Sequence, residues 1–203
     1  MRRWASLATE ARNPRSRTLD ALPTARIVAL LLDEDRRALG AALRVRRAVT
    51  RAADLAARVL AGGGRILFAG AGTSGRLGVL EAAECPPTFG TRPSQVRAVI
   101  AGGPRALFRA VEGAEDRREA GRREGLRLRR GDLLVGVSAS SVTPYVRGAL
   151  TGARRRGAAS ALVTCADVSK AKARLGYRPK TPVREGLERF VAWYRERGSS
   201  PAR

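Results

Sequence analysis

The sequence predicts an α/β fold, a parallel sheet with helices on both faces. Two observations lead there. Short apolar runs recur at RILFAG (65–70), VRAVIAGG (96–103), DLLVGVSASS (132–141) and ASALVTC (159–165), and helical stretches follow the first three. The runs are continuously apolar rather than alternating, as strands buried on both faces must be. With 203 residues and 44% hydrophobic content, the chain suits one such domain plus extensions.

Residues 1–62 read as an N-terminal arm followed by helices. TEARNPRS (9–16) belongs to the polar arm, and Ile27, Leu30 and Leu31, then Val45, Val49, Leu55, Val59 and Leu60, recur at helical spacing. That pattern predicts two helices, broken near Gly40 and stopped at Gly62-Gly63-Gly64. RILFAG is a strand entering the glycine loop Gly70 to Gly75, and Leu77 to Ala83 continues as a helix that Pro86-Pro87 forbid to go further. VRAVIAGG is a second strand with a helix after Pro104, DLLVGVSASS a third with a helix from Thr143, and ASALVTC a fourth. Residues 63–165 are then the sheet domain. Residues 166–203 differ in character: the lysines gather there, Val183, Leu187, Phe190, Val191 and Tyr194 mark one amphipathic helix, and no fifth strand is visible.

Forty basic residues against 18 acidic ones give a formal charge of +22. Such a charge invites a nucleic-acid reading. The arginines are scattered over helices, however, and aromatics are only 4%, so no basic stripe interleaved with stacking residues forms. Nonspecific attraction to polyanions is expected, and no specific nucleic acid. The absence of histidine excludes a His-based metal site or catalytic triad, and no metal is expected. Cys85 and Cys165 are too few for a disulfide framework and fit a reducing compartment. The longest apolar run, near Ile27 to Leu32, is too short to span a membrane, so a soluble cytoplasmic protein is expected.

In such sheets ligands bind at the carboxyl ends of the strands. Here those ends carry Gly70 to Gly75, Gly102-Gly103 and Ser138 to Thr143. Gly70-Ala71-Gly72-Thr73-Ser74-Gly75 matches the dinucleotide pattern G-x-G-x-x-G, but that reading wants a ribose-binding acid at the end of the second strand, and IAGG supplies none. Thr73 and Ser74, with backbone N–H groups at a helix start, suit a phosphate monoester instead. A glycine turn whose hydroxyls merely cap the helix is the plain alternative. Ser138, Ser140, Ser141 and Thr143 form a second hydroxyl-rich loop, with ordinary capping before Pro144 as its plain alternative. Glu84, placed at a helix end, opposes the helix dipole; it is either a surface glutamate or a partly desolvated general acid. Glu115 and Asp116 read as acids in the first turn of the next helix. Cys85 reads as packing.

TEARNPRS (9–16), GAGTSGRLGVLEAAECPPTFG (70–90), IAGGPRALFRAVEGAED (100–116) and TPYVRGAL (143–150) together closely resemble the N-acetylmuramic acid 6-phosphate etherases. The resemblance runs from about Thr9 to Cys165 and implies the three-layer αβα sugar isomerase (SIS) fold, which is flavodoxin-like. The 70–90 segment is shared otherwise mainly with glucokinase regulatory proteins. What the resemblance implies is a cytoplasmic, cofactor-free lyase that cleaves the D-lactyl ether of N-acetylmuramic acid 6-phosphate. The products are N-acetylglucosamine 6-phosphate and D-lactate, in cell-wall recycling. The family's two functional glutamates map onto Glu84, the proton donor, and Glu115, the second active-site acid. Gly72, Thr73, Ser74, Gly75, Ser138, Ser140 and Thr143 would hold the 6-phosphate and sugar hydroxyls. A homodimer with sites completed across the interface is implied too, and TEARNPRS could reach a neighbouring subunit.

Two departures stand out. Where the family usually reads Ala-Ser-Gly-Arg-Thr-Pro-Tyr, this chain has Ser141 in place of the glycine and Val142 in place of the basic residue. The family's fifth strand and following site segment are not found after Cys165. Residues 166–196 instead resemble the C-terminal end of nucleotide-sugar epimerases of the extended short-chain dehydrogenase/reductase family. A sheet missing its last strand has an open edge and is expected to aggregate unless the tail covers it. The alternatives to an active etherase are a non-catalytic sugar-phosphate-binding module, acting as a sensor or regulator, and an inactive truncated product.

Overall fold

The computed structural model describes Thr9 and residues 11–166, which fall into two units divided between Asp54 and Leu55. The tail helix expected around Val183 to Tyr194 lies outside the described residues. In the first unit, two short 3-10 turns, Pro14–Ser16 and Leu19–Ala21, precede helix α1, Thr24–Arg44. Asn13 caps the first turn by accepting from the Arg15 amide at 3.0 Å, with Pro14 pre-set behind it. The Arg15 guanidinium reaches Asp33 and Glu34 of α1, each at 2.6 Å, so this part of the arm lies against its own chain. The helix does not break near Gly40 as the sequence suggests; it runs on to Arg44, and α2, Arg46–Ala61, follows Val45. One glycine costs a helix only about 1 kcal/mol, and the flanking Leu39, Ala41, Ala42 and Leu43 are good helix formers.

The second unit holds four parallel strands: β1 Ile66–Gly70, β2 Val96–Ile100, β3 Leu133–Val137 and β4 Ala159–Val163, ordered β2-β1-β3-β4. Ile66 pairs with both Val96 and Leu133, and Leu133 with Ala159, so the strand ends lie level. All four expected strands are present. Helices α3 Gly72–Phe89, α4 Arg105–Phe108, α5 Arg118–Leu126 and α6 Pro144–Arg155 connect them. Strand residues alternate between two cores. Ile66, Val96 and Leu133 meet Val59 of α2 with Ala82 and Cys85 of α3, while Leu67, Ala69 and Leu134 meet Tyr145, Val146 and Ala149 of α6. Both faces are covered, which gives the three layers expected from the apolar runs.

Helices α5 and α6 pack at backbone distance. A Cβ on Gly121 or Gly125 would overlap the carbonyl oxygen of Tyr145 or Ala149, and one on Gly148 or Gly152 that of Arg118 or Arg122. At the amino end of the sheet Asp132 is 0% exposed and accepts from the Arg65 amide (3.0 Å), the Arg65 guanidinium (2.7 Å) and the Arg129 amide (3.1 Å). Burial pushes the Asp132 carboxyl up, but these donors outweigh it and hold the carboxyl below its usual range. Strand β4 pairs only with β3 among the described residues, and its Val163 is 58% exposed. No helix among the described residues is long and apolar enough to cross a membrane.

Pro86 and Pro87 do not end α3. The helix passes through both to Phe89 and closes at Gly90 (φ +64°), whose amide donates to the Pro86 carbonyl at 2.9 Å. The prolines remove the amides that would bond the Ala82 and Ala83 carbonyls. Packing of Ala82 and Cys85 on the core around Val59, Ile66, Val96 and Leu133 holds the chain helical there nonetheless. Glu84 consequently sits five residues before the helix end, outside the last turn in which the dipole acts.

Candidate functional site

In the order β2-β1-β3-β4 the chain passes from β1 to β2 on one side and then crosses to β3 on the other, which opens a crevice at the carboxyl ends of β1 and β3. The β1–α3 turn borders it on one side and the Ser138–Thr143 loop on the other. The three glycines of the turn do different things. A Cβ on Gly70 would lie 2.6 Å from the Gly75 amide nitrogen, and one on Gly75 would strike Ile100, so these two allow strand and helix to touch. Gly72 (φ +53°) has open space around it and faces the crevice. Helix α3 begins at Gly72, so Thr73, Ser74 and Gly75 form its first turn rather than a loop before it.

Neither helix start is capped by its own hydroxyls. Ala71 is the N-cap of α3 and makes no side-chain cap bond, and the Thr73 and Ser74 amides find no backbone acceptor. Thr143 is the N-cap of α6 but does not bond back to the helix; its hydroxyl lies 2.8 Å from that of buried Ser138. The Tyr145 amide donates to the Glu115 carbonyl at 2.8 Å, which pins the turn bearing Glu115 to the start of α6. That turn precedes α5, so Glu115 and Asp116 are not in the helix's first turn. Ser140 accepts a long bond, 3.4 Å, from the Val142 amide. Ser141 has φ +63°, the single non-glycine in the left-handed region among the described residues. A glycine at this position would meet that backbone requirement without strain.

A cavity of about 360 Å³ occupies the crevice, and its walls include Gly72, Thr73, Glu115 and Thr143. Ser138 stands one hydrogen bond behind Thr143, Ser74 follows Thr73 on α3, and Gly75 is buried against Ile100. Glu84 does not line the cavity. Twelve residues of helix separate it from Gly72, about 18 Å at 1.5 Å per residue, and it is exposed. Of the two readings of Glu84, its place in the single chain matches the surface glutamate. Its face of α3 also carries Leu77 and Leu80, 52% and 55% exposed.

Three charged cavity residues escaped the sequence reading: Arg76, Arg109 and Glu112. Spacing held a signal for Arg76 alone, one helical turn beyond Gly72; Arg109 and Glu112 lie in the non-helical segment between α4 and α5. Arg76 Nε donates to the Leu107 carbonyl at 3.1 Å and so ties α3 to α4. Tyr145 is buried, which pushes its phenol up to about 12, with Glu124 adding to the shift; it packs as a neutral ring. Burial, with Glu81 nearby, pushes the Cys85 thiol up, in keeping with a packing role.

A family model described as "Glucokinase regulatory protein N-terminal SIS domain" matches residues 47–154. The chain belongs to this family. Over 181 residues the SIS-domain chain is 48% identical to N-acetylmuramic acid 6-phosphate etherase of Gloeobacter violaceus, a match that covers 88% of the chain and 59% of the relative. It is 50% identical over 162 residues to the etherase of Salmonella choleraesuis, covering 79% of the chain and 54% of the relative. The Cutibacterium acnes etherase is 50% identical over 159 residues, covering 77% and 52%. The chain thus spans about half the length of the curated relatives it matches. The structure of phosphoheptose isomerase GmhA from Neisseria gonorrhoeae is similar with TM-score 0.59 and 26% identity, covering 75% of this chain and 80% of that one. The etherase resemblance and the SIS-type α/β fold expected from it are borne out.

Proposed function

We propose that this SIS domain binds a sugar 6-phosphate in the cavity and, as a homodimer, acts as a carbon-oxygen lyase on N-acetylmuramic acid 6-phosphate. The products would be N-acetylglucosamine 6-phosphate and D-lactate, in cytoplasmic cell-wall amino-sugar recycling. The observation that carries this reading is the convergence of two helix starts without side-chain caps on the cavity that Glu115 also lines. The Thr73 and Ser74 amides, their hydroxyls, and the hydroxyls of Ser138, Ser140 and Thr143 offer a phosphate monoester the donors and positive dipole ends it requires. Gly72 lets the backbone approach the ligand, and Gly75 lets α3 seat against β2 behind it.

The chemistry needs proton transfers only. A base removes the proton at C2 of the open-chain aldehyde, the C3–O bond breaks, and an acid protonates the departing lactate oxygen. Water then adds across the new double bond, returning hydrogen to C2 and placing hydroxyl on C3, so that one water is consumed overall. Glu84 is the proton donor and Glu115 the second acid. Because Glu84 stands about 18 Å along α3 from Gly72 by helical rise, it would join the site from a second copy. The exposed Leu77 and Leu80 on the same face of α3 supply apolar surface for such an isologous contact.

Lactate release from N-acetylmuramic acid 6-phosphate tests the reading, with Glu84→Gln and Glu115→Gln as variants. Loss of a positioned proton donor costs roughly 10²–10⁴-fold in rate, and Glu84→Gln is expected to fall in that range. Equal release by Glu84→Gln and the unaltered chain would remove Glu84 from the mechanism. A second reading, a non-catalytic sugar-phosphate-binding module, is favoured by the separation of Glu84 from the cavity. It takes over if no lactate is released while the sugar phosphate still raises the melting temperature.

A further inference from the structure

We infer that Arg109 forms a carboxylate subsite in the cavity, separate from the amide-and-hydroxyl site for phosphate, and that it takes the lactyl carboxylate of the substrate. This rests on the etherase reading above. Arg109 lines the cavity, is exposed, and makes no side-chain hydrogen bond or ion pair among the described residues. Its backbone is held at the end of α4, where the Arg109 amide donates to the Arg105 carbonyl at 3.1 Å. Arg76 is fastened by its Nε to the Leu107 carbonyl, two residues before Arg109, so both cavity arginines belong to the same wall.

Glu112 and Glu115 share the cavity, yet neither forms an ion pair with Arg109. An uncommitted guanidinium at the mouth of a cavity is a planar fork of donors that matches a carboxylate with two parallel bonds. The proposed substrate carries two anionic groups, and the helix starts with their hydroxyls account for the 6-phosphate alone. The lactyl carboxylate needs its own cation. Arg109 supplies it, with Arg76 as its neighbour on the wall. Such a subsite would distinguish the substrate from the product sugar, which has lost the carboxylate and with it the paired charge-assisted bonds to Arg109.

The test is calorimetric titration of the full chain carrying Glu84→Gln, so that substrate is not consumed, with N-acetylmuramic acid 6-phosphate and, separately, N-acetylglucosamine 6-phosphate. Adding Arg109→Ala is expected to weaken the first ligand roughly tenfold or more, as loss of a charge-assisted pair does, and the second less than about twofold. Arg109→Lys should recover only part of the loss, because an ammonium cannot reproduce the paired geometry. Equal weakening of both ligands would assign Arg109 to the phosphate and overturn the carboxylate subsite, as would no weakening of either. Both results leave the sugar-phosphate reading standing. Failure of both ligands to bind the Glu84→Gln and unaltered chains overturns that reading and the subsite with it.

Discussion

Replacing Ser141 by glycine should stabilise the protein. The residue sits at φ +63° in the turn that follows Ser138, where its amide donates to the Ser138 carbonyl at 3.1 Å, and its hydroxyl makes no hydrogen bond among the described residues. The left-handed conformation costs an L-residue roughly 1–2 kcal/mol, because Cβ crowds the following carbonyl. Glycine escapes that cost but gives back about 0.4–1 kcal/mol through the greater freedom of the unfolded chain. The net gain is about 0.5–1 kcal/mol, which for a protein of this size raises the melting temperature by about 1–4 °C. Ser141→Ala keeps the strain and should melt with the unaltered chain, while Ser141→Val, β-branched at positive φ, should fall below both. Thermal denaturation of the four proteins gives the ranking. An alanine variant as stable as the glycine variant, or a valine variant no worse than serine, would refute the backbone argument.

Gly148→Ala should destabilise by about 1–3 kcal/mol or more, since the new Cβ overlaps the Arg118 carbonyl across the α5–α6 contact; Gly40→Ala, whose nearest neighbour is 3.9 Å away, should instead stabilise by about 0.5–1 kcal/mol. Chemical denaturation separates the two, and equal effects would show that the close helix approach does not matter. Because the Asp132 carboxyl is held below its usual range, its contribution is fully present above the unfolded value near pH 3.9 and lost as pH falls through the folded value. Asp132→Asn should therefore lower stability at neutral pH by about 1–3 kcal/mol and flatten the decline of melting temperature below about pH 4. Parallel pH curves for the two proteins would sink that assignment.

Much of the fold was legible in the sequence because its signals are local. Short apolar runs ending in Gly70, Ile100, Val137 and Val163, each bounded by turn residues, read as strands of a parallel sheet, and the glycines and hydroxyls that follow them mark the binding end. Gly40 and Pro86-Pro87 misled for one shared reason. Local preferences of about 1–3 kcal/mol compete with the helix-forming residues around them and with burial, and the packing of Ala82 and Cys85 on the Val59–Leu133 core lies in no local window. The candidate site was legible by chemical type at Thr73 and Thr143, whereas Glu115 was marked only by the family resemblance. It was not legible by distance: one helix places Thr73 on the cavity and Glu84 far from it.

By itself the sequence determined the strands, their helices and the hydroxyl loops, since each is written in residues within a few positions of one another. Only the tertiary structure decided that Arg76 and Arg109 share a wall with Glu115, that Asp132 locks two strands through Arg65, and that Glu84 lies away from the cavity. Those facts depend on where separate elements meet. The meeting is set by burial of apolar surface, which has no direction along the chain.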